Sequence, residues 1–331
     1  MAQQSMKSSG VMSAADAKRI AKRSGKKTAR NRFKKSLSLY ALLLPGLFMI
    51  ILFHYVPMYG LAIGFKKYNI FLGNSPFDAI RLSPWVGLAN WSKLWIQSKF
   101  RQAIINTFVI SAMKIVIGFP IPIILALMIN EVRGTITKRV LQTVMYLPHF
   151  ISWVVVGALF MNILGTTGIV NTWIVAMGGK TQKFFMDNHW FRWILLLTSV
   201  WKESGWGTIV YLAAITGIDP ALYEAARIDR ANRLQQIWYV TLPGIAGTIV
   251  MMLILRLGGI MDAGFSQILV MYNSTVYKSG DIIGTFVYRE GIGKFNWSQG
   301  TIVGFFNSII NMILMLGGNY ISRKLTERSI W

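Results

Sequence analysis

Charged and amide side chains set inside apolar runs are where this sequence offers chemistry, because hydrocarbon tolerates such groups only with a partner or along a path. Lys202 and Glu203 lie in WKESGW, flanked by Trp201 and Trp206; Arg256 and Asp262 share a second run. Asn307 and Asn311, four apart in a third, fall on one helical face. Carboxylates, amides and indoles of this kind can line a pathway through the membrane. The same groups suit plain interhelical bonding, with Lys202 near Asp262 or Glu203 near Arg256 balancing charge. Spacing along the chain does not choose between path and pairing. Lys114 is a weaker candidate, since its stem can snorkel.

Other chemistries find no support. There is no cysteine, which excludes disulfides, thiolate metal sites and cysteine nucleophiles. His54, His149 and His189 lack the i, i+4 pairing or carboxylate companions of a metal site and read as structural histidines. GIGK at 291–294 lacks the upstream glycine of a phosphate loop, so ATP hydrolysis by that route is excluded. No serine sits in a nucleophile elbow, and no carboxylate pair suggests acid and base roles.

A second signal is the polar stretch YEAARIDRANRLQQIWYVTLPGI at 223–245, set between two runs of membrane-grade hydrophobicity. Just before it, Asp219 suits a helix N-cap and Pro220 the first helical position, which predicts a helix through the residues that follow. Leu222, Ala225 and Ala226 are expected to form a small, close-packing side, and Glu224, Arg227 and Asp229 a charged one. Asn232 is expected to restart the chain as a second short helix through Ile237 and Trp238, with Pro243 marking entry into the next span. Two short helices across the inner mouth of a bundle suit the docking of a cytoplasmic partner.

These groups need a scaffold, and composition says which. The 331 residues are 53% hydrophobic and 14% charged, with 12 Trp, and the mean hydropathy of +0.46 points to an integral membrane protein. The formal charge of +23 fits anionic headgroups and the positive-inside rule, and no nucleic-acid partner is expected. Apolar runs at 39–65, 104–130, 139–164, 192–217, 244–271 and 299–322 are each long enough to span. The first is too long for a signal-peptide core and is read as retained. Residues 1–36 form a basic tail, with Asp16 its one acid, expected to lie in the cytoplasm near anionic lipid. Segments then assigned to the inner side hold 20 Lys and Arg against 12 outside, which predicts both termini inside and 219–243 in a cytoplasmic loop. GFPIP at 118–122 and YLPHF at 146–150 interrupt spans, as lipid permits only where neighbours satisfy the freed backbone. An all-α, packed polytopic bundle is therefore expected.

Glu224, Ala225, Ala226, Asp229, Ala231, Leu242 and Pro243 match, at the right spacing, the EAA loop of binding-protein-dependent ABC transporter permeases. WKESGWGTIVYLAAITGIDPALY, VGLANW at 86–91 and the set Pro148, Trp153, Gly168 and Asn171 are similar to the carbohydrate-uptake group that includes the maltose permease. In detail the chain looks nearest to importers of oligosaccharides or polysaccharide fragments, of the alginate type. The resemblance covers about 290 residues, all but the basic tail. It implies a six-helix type I importer permease over 37–331, located in the bacterial plasma membrane, with the EAA coupling loop at 219–243. It also implies a non-catalytic subunit that pairs as a heterodimer with a second, homologous permease. Two ATPase subunits would bind ATP and Mg, so no cofactor is expected in this chain, and an extracytoplasmic solute-binding protein would deliver the saccharide. By the same carry-over Glu224, Ala225, Ala226, Asp229, Arg230 and Ala231 form the docking element, and Leu242 and Pro243 close the loop.

The chain departs from the family loop at two positions: Arg230 stands where the family has glycine, and Ile237 where it has an aromatic residue before LP. A non-glycine residue in the left-handed conformation costs roughly 1 kcal/mol or more. Arg230 therefore implies either a regular helical conformation or a compensating contact, to a carboxylate on the ATPase or to an inner-leaflet phosphate. The alternatives are an ABC permease for a non-sugar solute, a secondary transporter using Arg256, Asp262 and Glu203 as an ion path, and a membrane-embedded enzyme. A secondary transporter has no reason to dock an ATPase, and the enzyme lacks a catalytic cluster.

Overall fold

The computed structural model describes residues 40–326; the basic tail read at 1–36 lies outside them. Among the described residues the chain is helical, with no strand beyond an isolated antiparallel bridge between Lys66 and Trp85. Contacts divide the chain into two units between Leu61 and Ala62. Helix α1, Tyr40–Phe65, accounts for the described part of the first unit, and its apolar side chains, Leu42, Phe53 and Tyr55 among them, are exposed.

The second unit carries α2 (Pro76–Leu82) and α3 (Ala89–Ile96), then α4 (Ser98–Asn130), α5 (Thr135–Tyr146), α6 (Trp153–Leu164) and α7 (Ile169–Ala176). Next come α8 (Asn188–Thr216), α9 (Pro220–Ile228), α10 (Arg233–Gly258), α11 (Phe265–Met271) and α12 (Trp297–Thr326). Among the described residues α1, α4, the α6–α7 run, α10 and α12 are long and apolar enough to cross a bilayer, and α8 with α9, bent by 71°, makes a sixth. At 29 residues, α8 is about 43 Å long, more than the hydrocarbon thickness.

Proline inside these helices is accommodated by one recurrent device. A π-helical turn ends two residues before Pro57 (Ile51–Tyr55), Pro120 (Lys114–Gly118) and Pro243 (Ile237–Thr241). A proline ring clashes with the carbonyl four residues back and offers no N–H to it, so widening the preceding turn removes the clash without ending the helix. Pro243 therefore does not mark the entry to a span: α10 runs without a break from Arg233 through the proline to Gly258.

Two apolar runs are broken where periodicity read one segment. The run at 139–164 stops at Tyr146, turns through the 3-10 segment Leu147–Phe150, and restarts on the Ser152 cap, whose hydroxyl accepts from Val155 N at 3.3 Å. The run at 244–271 stops at Gly258, and Ala263 and Gly264 take left-handed φ of 48° and 87° before α11 begins. The backbone groups freed there find partners on other helices: Ser111 Oγ donates to Ile260 O, Asn311 Oδ1 accepts from Met261 N at 3.2 Å, and Lys114 Nζ donates to Ala263 O at 3.0 Å. Such a break is stable at membrane depth only because it is buried against protein that satisfies it.

The packing that positions the site centres on α8. One apolar cluster joins Phe191 and Leu195 to Val156, Ile268 and Met271; another joins Tyr211, Leu212 and Ile215 to Ala126 and Ile245. Between them Gly205 lets the end of α5 lie directly on α8, since a Cβ there would fall inside the van der Waals radius of Met145 O.

Candidate functional site

The loop between α8 and α10 is built as its local sequence dictates. Asp219 accepts from Ala221 N at 2.9 Å and Pro220 opens α9. The helix ends in a Schellman motif: Ala231 N donates to Ala226 O at 2.8 Å and Arg230 N to Arg227 O at 3.0 Å. Asn232 then caps α10 with a full capping box, accepting from Gln235 N while Gln235 Oε1 accepts from Asn232 N at 2.7 Å. The exposures differ from expectation in one respect. Tyr223 and Ala226 turn inward, with Tyr223 Oη 3.0 Å from Thr241 Oγ1, whereas Leu222 and Ala225 join Glu224, Asp229 and Arg230 on the exposed side.

Arg230 has φ +57°, the left-handed conformation for which the family uses glycine, so the alternative of a regular helical conformation does not hold. Its side chain is exposed, and among the described residues it makes no hydrogen bond or ion pair. The nearby Arg233 does, reaching Glu131 Oε2 at 3.2 Å. Ala231 and Leu242 are half-buried and Pro243 is exposed. A cavity of about 320 Å³ lies beside this loop, lined by Glu131, Tyr223, Glu224, Arg227 and Arg233 among others.

The intramembrane candidates separate into two groups. Glu203, Trp206 and Arg256 line a cavity of about 190 Å³ together with Lys114 and His149. Asp262 lines a second, of about 230 Å³, and Lys114 and Arg256 border both. Glu203 Oε2 and Arg256 Nη1 are 3.5 Å apart, as the charge-balancing reading expected. Trp206 stacks on His149 at 5.0 Å and 12°. The remaining candidates brace this arrangement. Lys202 does not meet Asp262: it is buried, donates to His149 O at 2.6 Å and lies over the Trp153 ring, so it ties the YLPHF turn to α8. Trp201 packs edge-on against Phe160, and Asn311 holds the backbone at Met261, while neither it nor Asn307 lines the cavities.

A family described as the binding-protein-dependent transport system inner membrane component matches residues 118–327. The chain belongs to that family. It is 41% identical over 294 residues to the polygalacturonan/rhamnogalacturonan transport system permease protein YteP of Bacillus subtilis, covering 88% of this chain and 90% of YteP. It is 40% identical over 299 residues to Protein LplB of the same organism, covering 90% and 92%. Among solved structures, a bacterial alginate ABC transporter in complex with alginate pentasaccharide-bound periplasmic protein matches with a TM-score of 0.83 and 38% identity, over 91% of this chain and 99% of that one. A bacterial ABC transporter involved in the import of the acidic polysaccharide alginate matches with the same TM-score at 39% identity, over 90% and 99%. The chain is thus a sugar-type ABC importer permease, and the six-helix importer fold is its fold.

Two constellations in the permease escaped the sequence reading. Lys114, set aside as a snorkelling lysine, is buried and also donates to Gln267 Oε1 at 2.5 Å; Gln267 in turn donates to Leu195 O and Thr198 Oγ1 at 2.7 and 2.6 Å. The signal for it was Ser111, one turn before Lys114, together with the GG and AG doublets at 258–259 and 263–264. The other lies in the connection before α12. Arg289 forks onto Asp281 with bonds of 2.9 and 2.6 Å and covers the Tyr277 ring at 4.4 Å, and the Asp281 bond raises its pKa further. Burial pushes the Glu290 carboxyl up, but hydrogen bonds from Lys294 and Arg289 outweigh it and hold Glu290 below the usual carboxylate range.

Proposed function

We propose that the permease forms half of the translocation pathway of an ATP-driven importer for oligosaccharides or polysaccharide fragments. It pairs with a second, related permease, receives sugar from an extracytoplasmic solute-binding protein, and rests on two cytoplasmic ATPases that hold ATP and Mg. The chain itself has no catalytic role, and both its termini face the cytoplasm. YteP and the alginate importers carry polysaccharide names, which supports the saccharide.

The observation that carries the reading is α9. Its exposed side holds Glu224, Ala225, Asp229 and Arg230, and rigid joints connect it to a span at either end: the Asp219 cap toward α8, and the Schellman turn and capping box toward α10. A displacement of α9 by an ATPase is then transmitted to the two helices that carry Glu203, Trp206 and Arg256. Glu224, Ala225, Ala226, Asp229, Arg230 and Ala231 form the docking element, and Leu242 and Pro243, at the π-helical turn, close the loop. Glu203, Trp206, Arg256 and Asp262 face the pathway, with Trp201, Lys202, Asn307 and Asn311 supporting it.

Copurification tests the reading. The tagged chain should bring down an ATPase and a second permease, and nucleotide turnover by the complex should rise when the saccharide-loaded binding protein is added. A chain that purifies without an ATPase sinks the importer reading.

A further inference from the structure

We infer that Arg256 is a carboxylate-binding residue specific for uronate-type sugar units, with Glu203 as its internal placeholder. The inference rests on the importer reading above and names the chemical class of its substrate. Lys114 is already committed to Ala263 O and Gln267 Oε1, which leaves Arg256 as the available cation of both cavities. Its guanidinium offers five N–H donors in a planar fork. Among the described residues they meet only Glu203, through one 3.5 Å contact that does not reach hydrogen-bond geometry. A sugar carboxylate can take two parallel bonds from the same fork, so the exchange of Glu203 for substrate is favourable. A neutral sugar offers no such exchange and would leave the arginine with its weak internal partner.

The rest of the wall fits the same sugar unit. Trp206, half exposed and backed by His149, offers an indole to the C–H face of a pyranose ring. His149 Nδ1 is buried without a hydrogen-bond partner among the described residues, a polar group awaiting one. Once displaced, Glu203 accepts from sugar hydroxyls. Asp262 borders only the second cavity and Glu203 only the first, so among the described residues Glu203 alone competes with substrate for Arg256. That competition keeps binding weak enough for release, which transport requires.

The test uses the complete importer in nanodiscs without its binding protein, so that discrimination comes from the permease. Equilibrium binding is measured for uronate trisaccharides and for their carboxyl-reduced, neutral counterparts. The wild type should prefer the acidic form by about tenfold, the worth of one charge-assisted hydrogen bond. Arg256→Gln should abolish the preference by bringing acidic binding down to the level of the neutral form, and Glu203→Gln should tighten acidic binding. Should Arg256→Gln not assemble, Arg256→Lys keeps the charge without the fork and should lower the preference. No preference in the wild type, a preference that survives Arg256→Gln, or a Glu203→Gln variant identical to wild type overturns the inference. An importer that assembles and turns over nucleotide yet shows no preference sinks this inference alone; failure to assemble with an ATPase sinks the importer reading.

Discussion

Glu224, Asp229 and Arg230 at one end of α8, and Glu203, Arg256 and Asp262 beside its middle, are the same side-chain types put to opposite uses. At the loop, the backbone is saturated by caps, and Glu224, Asp229 and Arg230 turn outward with no side-chain partner among the described residues. In the cavities the backbone itself is broken, side chains from α4 and α12 repair it, and charges are loosely matched inside the chain. Charges left unpaired in water cost little, so the loop can hold them ready for another protein. Unpaired charges at membrane depth are expensive, so the cavity must carry its own exchangeable counter-ions. The comparison can be broken by making either region behave like the other.

The largest expected effect falls on the scaffold of the cavity. Gly205→Val puts two methyl groups where Met145 O lies against α8. Neither backbone can move without displacing the YLPHF turn that carries His149, so destabilisation of ~3 kcal/mol is expected. The readout is the thermal midpoint of the detergent-purified permease, with saccharide binding lost in parallel. A tolerated valine would show that α5 and α8 are not in register through this glycine.

Next comes Glu224→Lys. The side chain is exposed and without a partner among the described residues, so stability should stay within ~0.5 kcal/mol of wild type. Saccharide-stimulated nucleotide turnover should fall about thirtyfold, as for loss of a desolvated interface charge worth ~2 kcal/mol. A stability loss equal to the functional loss would mean that α9 is a structural connector and that the two regions do not differ in kind.

What could be read in advance follows the same division. The loop's determinants are local: Asp219 before Pro220, Asn232 three residues before Gln235, and a left-handed residue at 230 all lie within one stretch. Sequence order therefore carried α9 and its caps. The exception is α10, where Pro243 suggested a boundary that the π-helical turn at Ile237–Thr241 removes. The cavity joins residues from 114 to 262, and its pairings depend on where helices cross. Apolar periodicity cannot show that a run such as 244–271 is interrupted when every interrupting residue, Gly258, Gly259, Ala263 and Gly264, is itself apolar or small. Glu203 and Arg256 were legible as a possible pair; Lys202 was not legible as a strap, because its partner is a backbone carbonyl, which no residue type announces.

Arg230→Gly is expected to have a smaller effect, of opposite sign in two measurements. Glycine adopts φ +57° without the steric penalty of a β-carbon, so the isolated permease should gain about 1 kcal/mol around the end of α9. Slower hydrogen exchange at the amides of 229–232 would report it. ATPase assembly should weaken at low salt and converge with wild type at high salt, if the guanidinium meets a carboxylate there. Unchanged assembly at low salt would leave Arg230 as strain with no contact to offset it.

The smallest effect belongs to the one ion pair that the loop makes among the described residues, Arg233 with Glu131 at 3.2 Å. Both side chains are well exposed, at 60% and 37%, so a double-mutant cycle of Arg233→Ala and Glu131→Ala on the thermal midpoint should give a coupling of at most ~0.5 kcal/mol. A coupling well above 1 kcal/mol would be the more instructive result. It would mean that the loop's charges are retained to hold α10 against the end of α4, and the contrast between outward charges for a partner and inward charges for a cargo would fail at its least protected point.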